Sequence, residues 1–414
     1  MNIVKRIQRA NRGRDPERLA MKYRLLRGSP FAFFRGTCHV FYDRLAESGF
    51  DASAPAAWCC GDLHLENFGS YKGDNRLVYF DINDFDEAAL APVTWELVRL
   101  CASLHVGLDA LGLDREAAGA AVGRLVEAYA AALACGKARW IERDAAHGVV
   151  RHLLEQLRDR NRVAYLDSRT RLVRRRRRLL ADGKRALAVS AEERELVAAT
   201  VHEFAATHAH PEFFRVLDVA RRIAGTGSLG VARYVILVEG HGSPDGNYLF
   251  DLKQALPSSL GRQFAKLQPR WDGEAERVTG IQQRMQAVSA AFLHPVVHAG
   301  QAFVLRALQP SEDRLPFDRF CTERDLFDGA LDMMGQCLAW AQLRSSGRQQ
   351  SATADDLIDF AVRRKWRRQV AAAATAMAAQ VAADWQTYAG AYDAGQFALV
   401  PPSVPPAVQE QAQG

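Results

Sequence analysis

Two short polar segments constrain this chain more than anything else in it. They are GDLHLENFG at residues 61–69 and YFDINDFDEA at residues 79–88. Each belongs with a strand-like run, residues 56–60 for the first and LVYFDIN at 77–83 for the second. A fold that accepts both must bring Asp62, His64 and Asn67 beside Asp81, Asp84 and Asp86 near a hairpin end. One such Asp or Asn is explained by a turn that caps its own backbone. A whole cluster marks a site. A carboxylate, an Asn amide oxygen and a second carboxylate form a hard-oxygen set suited to Mg²⁺, which keeps some waters and bridges phosphate oxygens. A further carboxylate is then free to orient or deprotonate an attacking hydroxyl.

A second feature lies far downstream. Gly225-Thr226-Gly227-Ser228-Leu229-Gly230 has the spacing GxGxxG. A Walker A loop would continue with Lys and Ser or Thr, whereas Val231 and Ala232 follow here. A dinucleotide fingerprint would open a helix, but VARYVILVE reads as a strand. A glycine turn between two strands is the arrangement that protein kinases lay over ATP phosphates. The runs Ala232–Glu239 and Tyr248–Ala255 flank a Gly/Ser/Pro/Asp/Asn cluster and predict a β-hairpin. Lys253 sits on its second strand. It is either a phosphate-binding lysine or an edge-strand lysine that discourages aggregation; the glycine loop one strand earlier favours the first.

The rest of the chain sets the frame. Its 414 residues are 48% hydrophobic and 25% charged, a globular composition that excludes fibres, disulfide scaffolds and largely disordered chains. The net charge of +6 favours anionic partners without choosing among them. Seven cysteines, at 38, 59, 60, 101, 135, 321 and 337, include no zinc-type spacing and fit a reducing cytoplasm. The longest apolar stretch, 117–136, is broken by Arg124 and Glu127, so no membrane-spanning helix is expected. The first twenty residues read as a mobile basic arm or a short helix, and Trp95 to about Leu217 reads as helical. The arginine run 174–178 within it is either a solvated helix face or an anion-binding edge. Another strand is expected at 302–309, and a Pro-rich, disordered tail at 397–414.

GDLHLENFG followed by INDFDEA resembles the protein-kinase-like phosphotransferases, particularly the aminoglycoside and choline kinase branch. There a helix with an acidic residue and Leu begins about a dozen residues after the metal aspartate. Twelve positions separate Asp84 from Glu96 of TWELVRL, which selects Asp84 over Asp81. A closer resemblance, over about residues 21–395, is to an uncharacterised bacterial family of that superfamily. It shares SPFAFFRG, LDVARRIAGTGSLG and a strand ending Lys-x-Ala. The resemblance implies ATP and Mg²⁺ as cofactors. Asp62 would act on the acceptor hydroxyl, and His64 would brace the loop or touch the γ-phosphate. Asn67 and Asp84 would bind Mg²⁺, with Asp81 or Asp86 as an auxiliary. Gly225, Thr226, Gly227, Ser228, Gly230 and Lys253 would hold the phosphates. Arg35 is a further phosphate contact or an ordinary ion-pair arginine. Two departures stand out. Cys60 replaces the His expected before Asp62, and no clear helix glutamate follows Lys253, with Glu274, Glu276 and Gln282 the candidates.

Kinases run glycine loop, lysine, catalytic loop, metal aspartate; here the acidic loops come first. The expected fold is therefore α+β, a circularly permuted, protein-kinase-like pair of lobes. A β-rich nucleotide lobe at 213–312 would be inserted between helical segments 21–212 and 313–396, with the helix near 329–345 packed beside the catalytic loop. Permutation is allowed because domain termini usually lie close together at the surface. The expected activity is phosphoryl transfer from ATP to a hydroxyl, with AMP transfer or nucleotide binding without turnover as alternatives. Partners would be a nucleotide and an acceptor in the cytoplasm, with no membrane; nucleic acid ranks last.

Overall fold

A computed structural model describes residues 1–50, 53–107, 111–158, 160–309, 314–315 and 323–399. The fold is α+β, about 50% helix and 17% strand with several small sheets. Four helices open the chain: α1 (Ile3–Ala10), α2 (Pro16–Gly28), α3 (Pro30–Gly36) and α4 (Cys38–Glu47). Asp15 and Ser29 cap α2 and α3 at their N-termini, each followed by a proline whose missing N–H costs nothing there. The first twenty residues are thus helical and anchored, with Ile3, Ile7 and Leu19 in the main core. A basic arm is not what they form, because α1 carries an apolar face that packs on α4 and the C-terminal helix.

Strand β1 (Ala56–Cys59) pairs antiparallel with β4 (Ala89–Pro92), and between them β2 (Phe68–Lys72) pairs with β3 (Val78–Ile82). Both acidic segments therefore leave strands of one compact unit. Helices α5 (Val93–Val106) and α6 (Arg115–Ala134) follow, then β5 (Ile141–Glu142) on the edge of β3, α7 (Gly148–Arg158) and α8 (Arg162–Asp167). Among the described residues α6 alone is long and apolar enough to cross a membrane. Here its Val122, Leu125, Tyr129 and Leu133 are buried.

The arginine run is not on a helix. It forms a hairpin, β6 (Thr170–Val173) and β7 (Arg176–Leu179), turning at Arg174 and Arg175 with φ of 48° and 63°. Positive φ at both central residues matches the twist of a two-residue hairpin turn, and usually calls for Asn or Gly, so the sequence hid it. Arg177 is buried there between Asp167 and Asp245. After β8 (Ala186–Leu187) and α9 (Ala191–Ala205) come β9 (Val216–Arg222), β10 (Arg233–Val238) and β11 (Tyr248–Gln254). Helices α10 (Ser259–Gln263) and α11 (Glu274–Met285) lead to β12 (His294–His298) and β13 (Gln301–Ala307). These strands make one antiparallel sheet in the order β12-β13-β11-β10-β9-β8. The expected strands near 232–239, 248–255 and 302–309 are all present in it.

Helices α12 (Arg324–Ser345), α13 (Ala354–Val362) and α14 (Lys365–Asp393) complete the fold. The main core runs from Ile3 to Phe397 and takes in α11 through Val278, Ile281 and Met285. Two smaller clusters cover the faces of the six-stranded sheet. The sheet thus starts earlier than residue 213, and α11 packs with the helical core despite lying between sheet strands. Helix α12 packs on β1 and β3, the strands that lead into the acidic loops, as expected for 329–345. Of the tail expected to be disordered at 397–414, Phe397 is buried in the main core against Tyr23 and Tyr388, and residues 400–414 lie outside the described residues.

One charge cluster fixes the sheet against the acidic hairpin. Asp251 on β11 is buried and accepts from Arg233 Nε at 2.8 Å; Arg222 Nη1 lies at 3.0 Å and Arg306 Nε at 3.7 Å. Burial pushes the Asp251 pKa up, but the three guanidiniums outweigh it and hold it well below the usual range. Arg306 also donates to the Asn83 carbonyl at 3.3 Å. Removing the carboxylate leaves buried cations unpaired, so Asp251→Asn should lower unfolding stability by about 3–5 kcal/mol in urea with an unchanged m-value. The aspartate is ionised in both states above roughly pH 4. Its contribution is therefore constant at neutral pH and fades only as pH falls below that toward the native pKa. A loss under about 1 kcal/mol would mean the arginines find other partners.

Candidate functional site

Strand β1 ends at a tight turn. Gly61 has φ of +84°, and a Cβ there would run into the Glu87 carbonyl, so no side chain is tolerated. Its N–H donates to Glu96 Oε1 at 2.9 Å and its carbonyl accepts from Tyr42 Oη at 2.7 Å. This clamp presents Asp62. Arg99 of α5, fully buried, donates from Nε to Asp62 Oδ1 at 2.8 Å and from Nη2 to the Phe34 carbonyl at 3.1 Å. Asp62 is therefore oriented rather than free to rotate.

His64 is buried, and its Nδ1 accepts from the Glu66 N–H at 3.1 Å, capping the turn Leu65–Asn67. Burial, then the charges of Arg35, Arg99 and Arg314, push its pKa well below the usual value. The ring is neutral, with its proton on Nε2. Asn67 Nδ2 donates to the carbonyls of Asp62 and Asp84, both at 3.1 Å, tying the two acidic loops together. Its Oδ1 is left as the available oxygen ligand.

Lys253 reaches this hairpin from the other sheet. Its Nζ lies 3.7 Å from Asp84 Oδ1 and forms a close ion pair with Asp86. Burial would raise the Asp84 pKa, but Lys253, then Arg306, Arg233 and Arg314, bring it down to about 2. Asp86 moves the other way, raised by burial and by Asp84. The helix glutamate sought after Lys253 is not its partner. Glu274 pairs with Arg277 at 2.6 Å, and Gln282 donates to Gln286. Arg277 itself donates to the Asp86 carbonyl at 2.9 Å, so α11 braces the acidic loop by a cation.

The glycine turn between β9 and β10 closes the cavity. Gly225, Thr226, Gly227 and Ser228 line it with Asp62, His64, Asn67, Asp84, Asp86 and Glu87, around a volume of about 100 Å³. Two cations from the N-terminal helices fix the turn: Arg14 Nη1 and Lys22 Nζ donate to the Gly227 carbonyl at 2.6 and 2.8 Å. Burial, then Arg14, push the Lys22 ammonium well below its usual pKa. Gly230 has φ of +84° and sits against Arg14, where a Cβ would approach within 2.9 Å of that side chain. Its carbonyl accepts from the Asp15 N–H at 2.9 Å, so Gly230 anchors the turn from outside the cavity.

Three results correct or extend the sequence reading. Asp81 is not in the cavity: its carboxylate accepts from Arg344 Nη2 at 3.0 Å and from the Ile82 and Ala287 N–H groups. Strand alternation turns it away from Asp84. Arg35 lines the cavity, paired with Glu66 at 2.6 Å, and Arg314 approaches the same glutamate at 3.6 Å. Arg14, Lys22, Glu87, Arg99, Arg277 and Arg314 were not singled out in the sequence. Only Glu87, inside the DFDEA run, carried a local signal.

Among the described residues no three His, Cys, Asp or Glu side chains form a metal cage. Asn67, Asp84 and Asp86 line one cavity, with both carboxylates paired to Lys253, and oxygens of this kind would suit a cation that takes one or two protein ligands and completes its shell with water and phosphate. They fit Mg²⁺ better than a metal held by protein alone.

The sequence pattern of a family of uncharacterised proteins conserved in bacteria, DUF2252, matches residues 14–391. The chain belongs to this family. The match begins at Arg14, the residue that holds the glycine turn. No curated protein and no solved structure matches the chain.

The clamp on the glycine turn yields a direct expectation. Lys22→Met removes one of two donors to the Gly227 carbonyl while keeping the apolar stem. Amide hydrogen exchange at residues 225–230 should speed up about tenfold, corresponding to one net hydrogen bond of roughly 1–1.5 kcal/mol. Unchanged exchange would show that the turn holds itself.

Proposed function

We propose that this protein is a kinase-like phosphotransferase that moves a phosphoryl group from ATP to a hydroxyl of a small-molecule acceptor. The observation that carries the reading is the ion pairing of Lys253 with Asp84 and Asp86, two aspartates that line a cavity with the glycine turn. Phosphoryl transfer needs little covalent help from the protein; positioning and charge neutralisation do most of the work. The cavity supplies both. Arg14, Lys22, Arg35 and Arg314 line a space sized for phosphate groups, and Lys253 pairs with two of its carboxylates. Asn67 and Asp84 would hold Mg²⁺, with Asp86 beside them, and the ion when bound neutralises charge on the transferring group. Asp62, held by Arg99, would orient the acceptor hydroxyl and take its proton. Neutral His64 would donate from Nε2 to a phosphate oxygen.

The order of parts supports the same reading. The glycine turn joins β9 to β10, the lysine is on the next strand β11, and helix α11 follows. Protein kinases likewise carry their lysine on the third strand of the small lobe, after the glycine loop and before a helix. We infer a cyclic change of chain order, in which the acidic loops precede rather than follow this unit. Arg277 of α11, bonded to the acidic loop, would take over the bracing that a helix glutamate gives elsewhere.

A reading without turnover draws on a specific feature. Lys253 is already neutralised by Asp86, and the cavity of about 100 Å³ is smaller than a nucleotide. Binding would then require Lys253 to exchange partners and the turn to lift. Isothermal titration with Mg²⁺-ATP separates these outcomes from failure of the site itself. Wild type should bind, while Asp84→Ala and Lys253→Ala should each weaken binding at least tenfold. Equal affinity in all three would discard the assignment. Asp62→Asn should keep binding and lose transfer. A product heavier by phosphate supports phosphoryl transfer, one heavier by AMP the nucleotidyl alternative, and binding with no product on any acceptor the non-catalytic one.

A further inference from the structure

A second cavity is larger than the one described above. It measures about 720 Å³ and lies between the β2–β3 hairpin, helices α7 and α8, and the ends of β11 and β13. That volume is in the range of small-molecule sites. Its apolar lining includes Val78, Leu154, Leu157, Leu166, Leu249 and Leu308. These residues come from four separate elements, so the cavity is a junction between the main core and the sheet rather than a gap within one packing layer.

Its charges are one-sided. Lys72, Arg76 and Arg162 line it together, and among the described residues none of the three forms an ion pair. Of the two acids in the lining, Asp144 is bonded to Arg143, which leaves Glu142. The Arg162 guanidinium stands 5.6 Å from the Tyr248 ring centroid, and Leu77 is 53% exposed at the hairpin end. Arg76 has φ of +71°, a conformation uncommon for a residue other than Gly or Asn, so the hairpin turn carries this cation in a sparsely populated geometry. Burial, then the Arg76 and Arg162 charges, hold the Lys72 ammonium below its usual pKa. All three are exposed at the rim of the apolar chamber, where water screens them and where an anionic head would find three donors of one sign.

We propose that this cavity binds an amphipathic anion: a carboxylate or phosphate head seated among Lys72, Arg76 and Arg162, and an apolar body of acyl or fused-ring type lying along the leucine-lined interior. The site is separate from the Lys253 cleft and does not depend on the phosphotransfer reading. Arg306 stands between the two, lining this cavity while it reaches the Asn83 carbonyl beside Asp84.

The test uses the full chain and 8-anilinonaphthalene-1-sulfonate, a fluorescent fused-ring anion. Saturable binding at one site is expected, displaced by decanoate or decyl phosphate and not by decanol at equal concentration. The stronger competitor names the head group. The double variant K72Q/R162Q should weaken decanoate or decyl phosphate at least tenfold with the melting temperature unchanged. Asp84→Ala should bind the probe as wild type does. Leu157→Trp, which fills the chamber from its apolar side, should abolish binding and serves if the double variant does not fold. Non-saturable fluorescence, displacement by decanol as strong as by the anions, or full affinity in both K72Q/R162Q and Leu157→Trp would overturn the proposal.

Discussion

The ammonium of Lys253 lies between two carboxylates that belong to a different sheet. Much of the architecture around the cleft serves to hold that contact. The carboxylates need a loop that leaves β3 and returns through β4, and Asn67 fixes that loop to the turn after β1. The lysine needs β11 at the centre of its sheet, where β10 and β13 pair on both sides. The lysine does not tolerate its depth alone, because an unpaired buried charge is far more costly than a paired one, while Asp84 and Asp86 stay partly open to solvent.

The same accounting explains why the region is so rich in cations. Asp251, directly across from Val235 in the β10–β11 register, draws in Arg222, Arg233 and Arg306. Arg14 and Lys22 spend their hydrogen bonds on backbone carbonyls of the glycine turn, and burial pushes the pKa of both below the usual value. The cleft thus sets four cations, Arg14, Lys22, Arg35 and Arg314, against five carboxylates, Asp62, Glu66, Asp84, Asp86 and Glu87.

Local signals and long-range ones were unequally legible. The strands β1, β3, β10, β11 and β13 were readable because each is a short β-branched or aromatic run bounded by turn residues. Asp62, Asn67 and Asp84 were readable because they crowd within loops too short to scatter them. The hairpin β6–β7 was not, since arginines occupy the positive-φ turn that Asn or Gly normally announces. Asp81 was misplaced for a simpler reason: successive strand residues face opposite sides, and the one that faces Arg344 cannot face Lys253. Arg99, Arg277 and Arg314 each sit in ordinary helical or loop sequence, and nothing nearby marks them.

Sequence by itself determined the α+β class, the two acidic loops, the glycine turn and the lysine strand, because these depend on neighbours a few positions away. Only the tertiary structure decided which charges meet. Pairing across hundreds of residues is set by how helices and sheets dock, and docking follows apolar faces rather than the polar groups they carry along. That is why Arg14, in a segment read as a basic arm or a short helix, and Lys22 just after it turn out to grip the glycine turn. It is also why the lysine's partners come from the aspartate loop and not from the helix that follows it.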